Sequence, residues 1–149
     1  MARIHVRRER LIPAPAAAVY AMLADYRDGH PHILPAAFSD FTVLEGGVGA
    51  GTRIRFKLTL GGRTQETTGI VAEPEPGRVL TETYPGDQVT TFTVDPAGDQ
   101  CRLRIETAWQ SRSGLAGLIE RLAAPRLLTP LYEQEFDLIV AWAKNQPGH

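Results

Sequence analysis

Residues 53–60, RIRFKLTL, alternate without a fault. Ile54, Phe56, Leu58 and Leu60 fall on one side of an extended chain, and Arg53, Arg55, Lys57 and Thr59 on the other. A period of two does not suit a helix; it defines a strand with one face on a core and the other in water. Gly61-Gly62 follow, a two-residue hairpin signal. Across that turn Leu60 is expected opposite Arg63, Leu58 opposite Gln65, Lys57 opposite Glu66 and Phe56 opposite Thr67. The Lys57–Glu66 charge match supports this register. The same register puts Gln65 and Thr67 on the apolar face, where polar groups need partners, or a cavity holding water or ligand.

The period of two begins at Phe38 and persists to about residue 109. FTVLEGG is a strand ending at glycines. EPEPGR (73–78) reads as a turn, and VLTETY as the next strand. If Ala72 faces Val79, the inner face receives Leu80, Glu82 and Tyr84. QVTTFTV presents Thr90, Phe92 and Val94 inward. CRLRIETAW presents Cys101, Leu103, Ile105, Thr107 and Trp109 inward, with Arg102, Arg104 and Glu106 outward.

Both flanks differ. RIHVRRERLI (3–12) reads as a strand in which Ile4, Val6 and Ile12 share a parity with Arg8 and Arg10. Pro13 and Pro15 end it, and a helix is expected over about 15–24, with Pro15 in its first turn and Val19, Met22 and Leu23 at helical spacing. Asp28-Gly29 closes that region. HPHIL is at most a short second helix, opened by Pro31 and stopped at Pro35. From Ser113 the spacing is helical again: Leu115, Leu118, Ile119 and Leu122, then Leu128, Leu131, Tyr132, Phe136, Ile139 and Trp142. Pro125 and Pro130 are expected to kink or interrupt this helix, leaving 130–145 as its most regular part.

Six consecutive antiparallel strands twist and curl, and one long amphipathic helix covers the concave face. The expectation is therefore an α+β helix-grip fold: a curled antiparallel sheet of about seven strands wrapped around a long C-terminal helix, with two short helices after the first strand. The 149 residues fit one domain, 1–149. A folded chain of this size buries roughly 70% of its unfolded surface, enough for a core without disulfides or metal. A net charge of -1 favours neither nucleic acid nor an acidic membrane surface. One cysteine, Cys101, and the absence of a secretory signal point to the cytoplasm. The charges within 115–143 exclude a plain membrane span.

The stretches IPAPAAAVYAMLADYRDGHPHILPA, GAGTRIRF, VAEPEPGRVLTETY, FTVDPAGDQCRLRIETAW and LAAPRLL together resemble the START/birch-pollen-allergen-like (SRPBCC) superfamily, and within it the polyketide cyclase/dehydrase-like group. The resemblance covers nearly the whole chain. It implies the helix-grip fold and a cavity for a small hydrophobic ligand. Lipid and hormone binders, aromatic cyclases, quinone-binding proteins and chaperone partners share the superfamily, with no single set of catalytic residues to carry over.

Glu82 and Tyr84 are the leading chemical candidates, since both point inward beside Gln65 and Thr67. A buried carboxylate there is desolvated unless a cation pairs with it, and Arg8 or Arg10 is a candidate cation. His30 and His32 stand two residues apart, which on a helix aims them in different directions, and no nearby ligand completes a metal set. They read as loop histidines at the cavity mouth, His30 also as an acid–base candidate. No metal and no cofactor is expected. Phe56, Leu58, Phe92, Leu103, Ile105 and Tyr132 complete the expected ligand contacts. Cys101 reads as a small buried hydrophobe, and GGVGAG as a turn, not a phosphate loop. Three functions remain open. The first is a binder of a polyketide, lipid, quinone or other aromatic, acting as monomer or homodimer. The second is an aromatase/cyclase using Glu82, Tyr84 or His30. The third is an interaction module presenting the outer-face cations Arg53, Arg55, Lys57, Arg102 and Arg104.

Overall fold

A computed structural model describes residues 3–111 and 114–146, without the side chains of Ala116, Leu118 and Arg121. The expected Leu118 of the helical stripe and the terminal His149 therefore lie outside the described set. The chain runs β1 (Arg3–Ile12), α1 (Ala16–Ala24), one 3-10 turn (His30–Ile33), β2 (Phe38–Glu45), β3 (Arg53–Leu60), β4 (Arg63–Glu75), β5 (Val79–Tyr84), β6 (Gln88–Ala97), β7 (Gln100–Gln110) and α2 (Gly114–Lys144). The seven strands form one antiparallel sheet in the order β1-β7-β6-β5-β4-β3-β2. It is the expected helix-grip arrangement, a curled open sheet with the long C-terminal helix against it. No helix among the described residues is long and apolar enough to cross a membrane.

The β3–β4 hairpin has the register read from its sequence, Leu60 opposite Arg63 and Phe56 opposite Thr67. Its charges pair differently. Lys57 and Glu66 are cross-strand neighbours, but Lys57 turns to Asp40 on β2 (3.1 Å) and Glu66 takes Arg55 (3.3 Å). Arg53 likewise meets Glu45, and Arg102 meets Glu9. Four of the five outer-face cations, Arg53, Arg55, Lys57 and Arg102, thus face acids on the same sheet, the pattern of a solvated surface rather than of a docking patch.

Three expectations are corrected. Ala72 faces Thr81, and Glu75 faces Val79 across an irregularity, because β4 continues through Pro74 to Glu75 and the turn is confined to 76–78. The displacement is even, so Leu80 and Glu82 still face the interior, both buried. Second, of the two outcomes expected at Pro125 and Pro130, a kink or an interruption, the interruption does not occur: α2 continues through both. Both prolines are exposed, so the carbonyls they leave unbonded can turn to water. Third, Leu115, Ile119 and Leu122 are exposed rather than packed; the buried stripe of α2 runs through Leu131, Tyr132, Phe136 and Ile139. That half of α2 is tied to β1 by Arg10, which hydrogen-bonds Glu133 and Asp137 and lies 5.1 Å from the centre of the Phe136 ring.

The segment after α1 is set by Asp25. Its side chain accepts the backbone N–H of Arg27 and Asp28, and its carbonyl accepts those of Gly29 and His30. A Cβ at Gly29 would stand 2.3 Å from the Met22 carbonyl oxygen, so only glycine lets the chain fold back on α1 here. That reversal swings His30 inward.

Candidate functional site

Between the inner face of the sheet and α2 lies a cavity of about 550 Å³. Phe38, Phe41, Ile54, Phe56, Leu58, Phe92, Ile105, Leu128 and Leu131 give it apolar walls. Its deep end is formed by buried residues, among them His30, Glu82, Phe92 and Ile105, and its mouth by exposed Gln65, Glu66 and Pro85. Size, concavity and a few convergent polar groups on an apolar lining are the features of a small-molecule site.

Glu82 is the centre of the polar floor. The Tyr26 hydroxyl donates to its Oε2 at 2.6 Å and the Tyr84 hydroxyl to its Oε1 at 2.5 Å. Burial, then the charge of Glu82, holds both phenols well above their usual pKa, so they stay protonated and keep donating. His30 Nε2 stands 3.6 Å from Glu82 Oε2. The His30 Nδ1 lies 2.8 Å from the Leu23 carbonyl oxygen. A carbonyl only accepts, so Nδ1 carries a hydrogen and Nε2 is the nitrogen presented to Glu82. The ring stacks on Tyr26 at 4.4 Å and meets the Phe92 ring edge-on at 5.6 Å. Neither Arg8 nor Arg10 reaches Glu82: Arg8 is exposed, and Arg10 is held by α2.

A second polar group belongs to α2 and β7. The Tyr132 hydroxyl donates to Thr107 Oγ1, which lies 3.0 Å from Thr90 Oγ1. Glu135, one turn along α2, is buried and lines the cavity. Burial first, then the nearby Glu82 charge, raises its carboxyl well above the usual carboxylate range. It therefore holds its proton to a higher pH than an exposed carboxyl would.

Of the candidates read from the sequence, Phe56, Leu58, Gln65, Thr67, Glu82, Tyr84, Phe92, Ile105, Tyr132 and His30 line the cavity. Leu103 is fully buried in the core and does not reach the lining. His32 is exposed and points away. The 3-10 turn is not the mouth: His30 is only 2% exposed and belongs to the floor. Tyr26 and Glu135 were not among the candidates. No periodicity marks Tyr26, which follows α1 in irregular chain. Glu135 does carry a signal, lying four residues from both Leu131 and Ile139, on the apolar stripe of α2.

A curled antiparallel sheet gripping one long helix around an apolar cavity defines the START/birch-pollen-allergen class of ligand-cavity proteins. Within it, the chain belongs to the polyketide cyclase/dehydrase and lipid transport family, whose model matches residues 3–143. No curated protein matches. Among solved structures, the KanY protein in solution is 28% identical, with a TM-score of 0.84 over 97% of this chain and 100% of that one. The Zhui aromatase/cyclase from Streptomyces sp. R1128 is 18% identical, with a TM-score of 0.76 over 96% and 94%. Norcoclaurine synthase from Thalictrum flavum, solved with dopamine and hydroxybenzaldehyde, is 16% identical, with a TM-score of 0.72 over 99% and 90%.

Proposed function

We propose that this protein binds a small amphipathic molecule, aromatic or polyketide-like, in the cavity between sheet and α2. The observation that carries the reading is an aromatic-walled space of about 550 Å³ whose floor holds the Tyr26–Glu82–Tyr84 cluster. Burial of apolar ligand surface, worth roughly 25 cal/mol per Å², supplies the affinity. The polar floor and the Tyr132–Thr107–Thr90 chain set the orientation. Native mass spectrometry of protein purified from its host tests this. The expected result is a retained mass in the range of a small aromatic, lost when Ile105→Trp fills the cavity. Protein that carries no ligand and shifts no tyrosine or tryptophan signal with any apolar aromatic would overturn the reading.

A second reading is cyclase-type chemistry on a poly-carbonyl chain. It is favoured by the approach of His30 Nε2 to Glu82 Oε2 at the floor, with Nδ1 already committed to Leu23. That geometry leaves Nε2 and the carboxylate to take a proton from carbon next to a carbonyl. Solvent deuterium exchange into an aryl 1,3-diketone measures it. Glu82→Gln and His30→Ala should each slow exchange by about 10²-fold or more; unchanged rates in both remove these groups from any proton transfer.

A further inference from the structure

The floor cluster leaves one wall group without a task. Glu135 is 5% exposed and lines the cavity, yet among the described residues it makes no hydrogen bond or ion pair. The other titratable groups of the lining have partners: Glu82 has Tyr26 and Tyr84, His30 has Leu23, Tyr132 has Thr107 and Glu66 has Arg55. No lysine or arginine lines the space. Arg10, which packs on the Phe136 ring of α2, is held by Glu133 and Asp137, which lie off the buried stripe of α2. With three carboxyl groups in the lining, only Glu66 of them paired by a cation (Arg55), and a single imidazole, the cavity is mismatched to an anionic ligand such as a fatty acid, whose carboxylate would meet like charge. It is matched to a cation.

We infer that the polar end of the ligand is a protonated amine, paired in the cavity by Glu135 while its apolar body lies along Phe38, Phe41 and Phe56. This rests on the ligand-cavity reading and narrows it. An ammonium brings three donors and no acceptor, so it satisfies the unpartnered Glu135, and the aromatic lining adds cation–π attraction. The groups facing Glu135 are Glu82 and Tyr84 from β5 and Tyr132 from its own helix; His30 from the 3-10 turn and Tyr26 after α1 act through Glu82. The phenols remain neutral, so burial first and then the charge of Glu82 favour the protonated form of Glu135 in the empty site. An arriving ammonium displaces that proton. Binding then releases a proton, and affinity rises with pH until the amine itself deprotonates.

Three probes on one skeleton test this by calorimetry at neutral pH: 2-(2-naphthyl)ethylamine, 2-(2-naphthyl)ethanol and 2-naphthaleneacetate. The expected result is binding of the amine at least about tenfold tighter than the alcohol, the margin of one charge-assisted hydrogen bond, with the acetate weakest. Repetition in buffers of different ionisation enthalpy should show net proton release with the amine alone, and Glu135→Gln should abolish both the preference and the release. If the alcohol or the acetate binds as tightly as the amine, or if Glu135→Gln leaves the amine's advantage intact, the cation assignment is wrong while the ligand cavity stands. If none of the three binds at millimolar concentration, the cavity reading falls with it.

Discussion

The Tyr26 hydroxyl and the Glu82 carboxylate lie 2.6 Å apart although 56 positions separate them in the chain. The contact joins the irregular segment after α1 to β5, and Tyr26 is fully buried where it happens. Glu82 depends on it, because among the described residues its only other hydrogen-bond donor is the Tyr84 hydroxyl. Tyr26→Phe keeps the packing and removes one donor from a buried carboxylate. The expected cost is about 1–3 kcal/mol, read as a lower urea midpoint at unchanged m-value. Tyr84→Phe should cost a comparable amount. Because both phenols serve one carboxylate, the double variant should depart from additivity by at least about 0.5 kcal/mol. Strict additivity would show that the two bonds do not share a network.

Glu135 makes stability depend on pH in a definite direction. Its carboxyl is raised in the folded state, first by burial and then by Glu82. Above the ordinary carboxylate range the folded chain therefore binds more protons here than the unfolded chain, and stability falls as pH rises. The contribution is fully present below the unfolded pKa and is lost as pH climbs through the folded one. Glu135→Gln, which cannot ionise, should therefore be more stable than the parent at pH 8. The advantage should shrink towards pH 4. Denaturant melts across that window measure the slope; parallel curves for parent and variant would show that Glu135 titrates as if exposed.

The parts of this molecule that were readable in the sequence are those governed by a short period. Alternation in β3 and β7 fixed which side chains face inward, and Gly61-Gly62 fixed one register outright. Glu82 was placed on the inner face even though β4 and β5 pair two residues away from the expected alignment, because a shift of two preserves parity. What period does not encode was not legible. Tyr26 reaches Glu82 only because Asp25 and Gly29 reverse the chain after α1, a tertiary arrangement with no periodic trace. The same reversal buries His30 and leaves His32 outside, a split that two histidines either side of a proline do not announce. Charge matching also proved a weaker guide than geometry: Lys57 and Glu66 stand opposite each other yet each prefers another partner.

Cys101 is fully buried between β1 and β6, opposite Ile12 and Pro96. Burial pushes its thiol up to about 11, and the nucleophile in thiol chemistry is the thiolate. The native protein should therefore leave a chromogenic disulfide reagent unreacted at pH 8, with one equivalent consumed once denaturant unfolds the chain. Fast reaction in the absence of denaturant would mean that the β1 edge of the sheet opens readily, since β1 alone separates Cys101 from that edge.

Gly69 controls the position of Tyr84. It is buried on β4 opposite Ile54, and a Cβ built on it would lie 2.6 Å from Tyr84 Cε1 and 3.2 Å from Cδ1. The ring is fixed on its other sides by the edge-on Phe56 ring at 5.8 Å and by its hydroxyl on Glu82, so an alanine at 69 forces it off one of those contacts. Gly69→Ala should cost about 1–3 kcal/mol by overpacking and weaken ligand binding, because Tyr84 both lines the cavity and holds Glu82. The cause is separable from backbone effects. In a Tyr84→Ala background the obstruction is gone, and alanine is better than glycine in a strand by roughly 0.5–1 kcal/mol, so the same substitution should there be neutral or stabilising. A change of sign between the two backgrounds in urea melts is the expected outcome. An equal cost in both would place the penalty in the backbone of β4 and free Tyr84 from any dependence on Gly69.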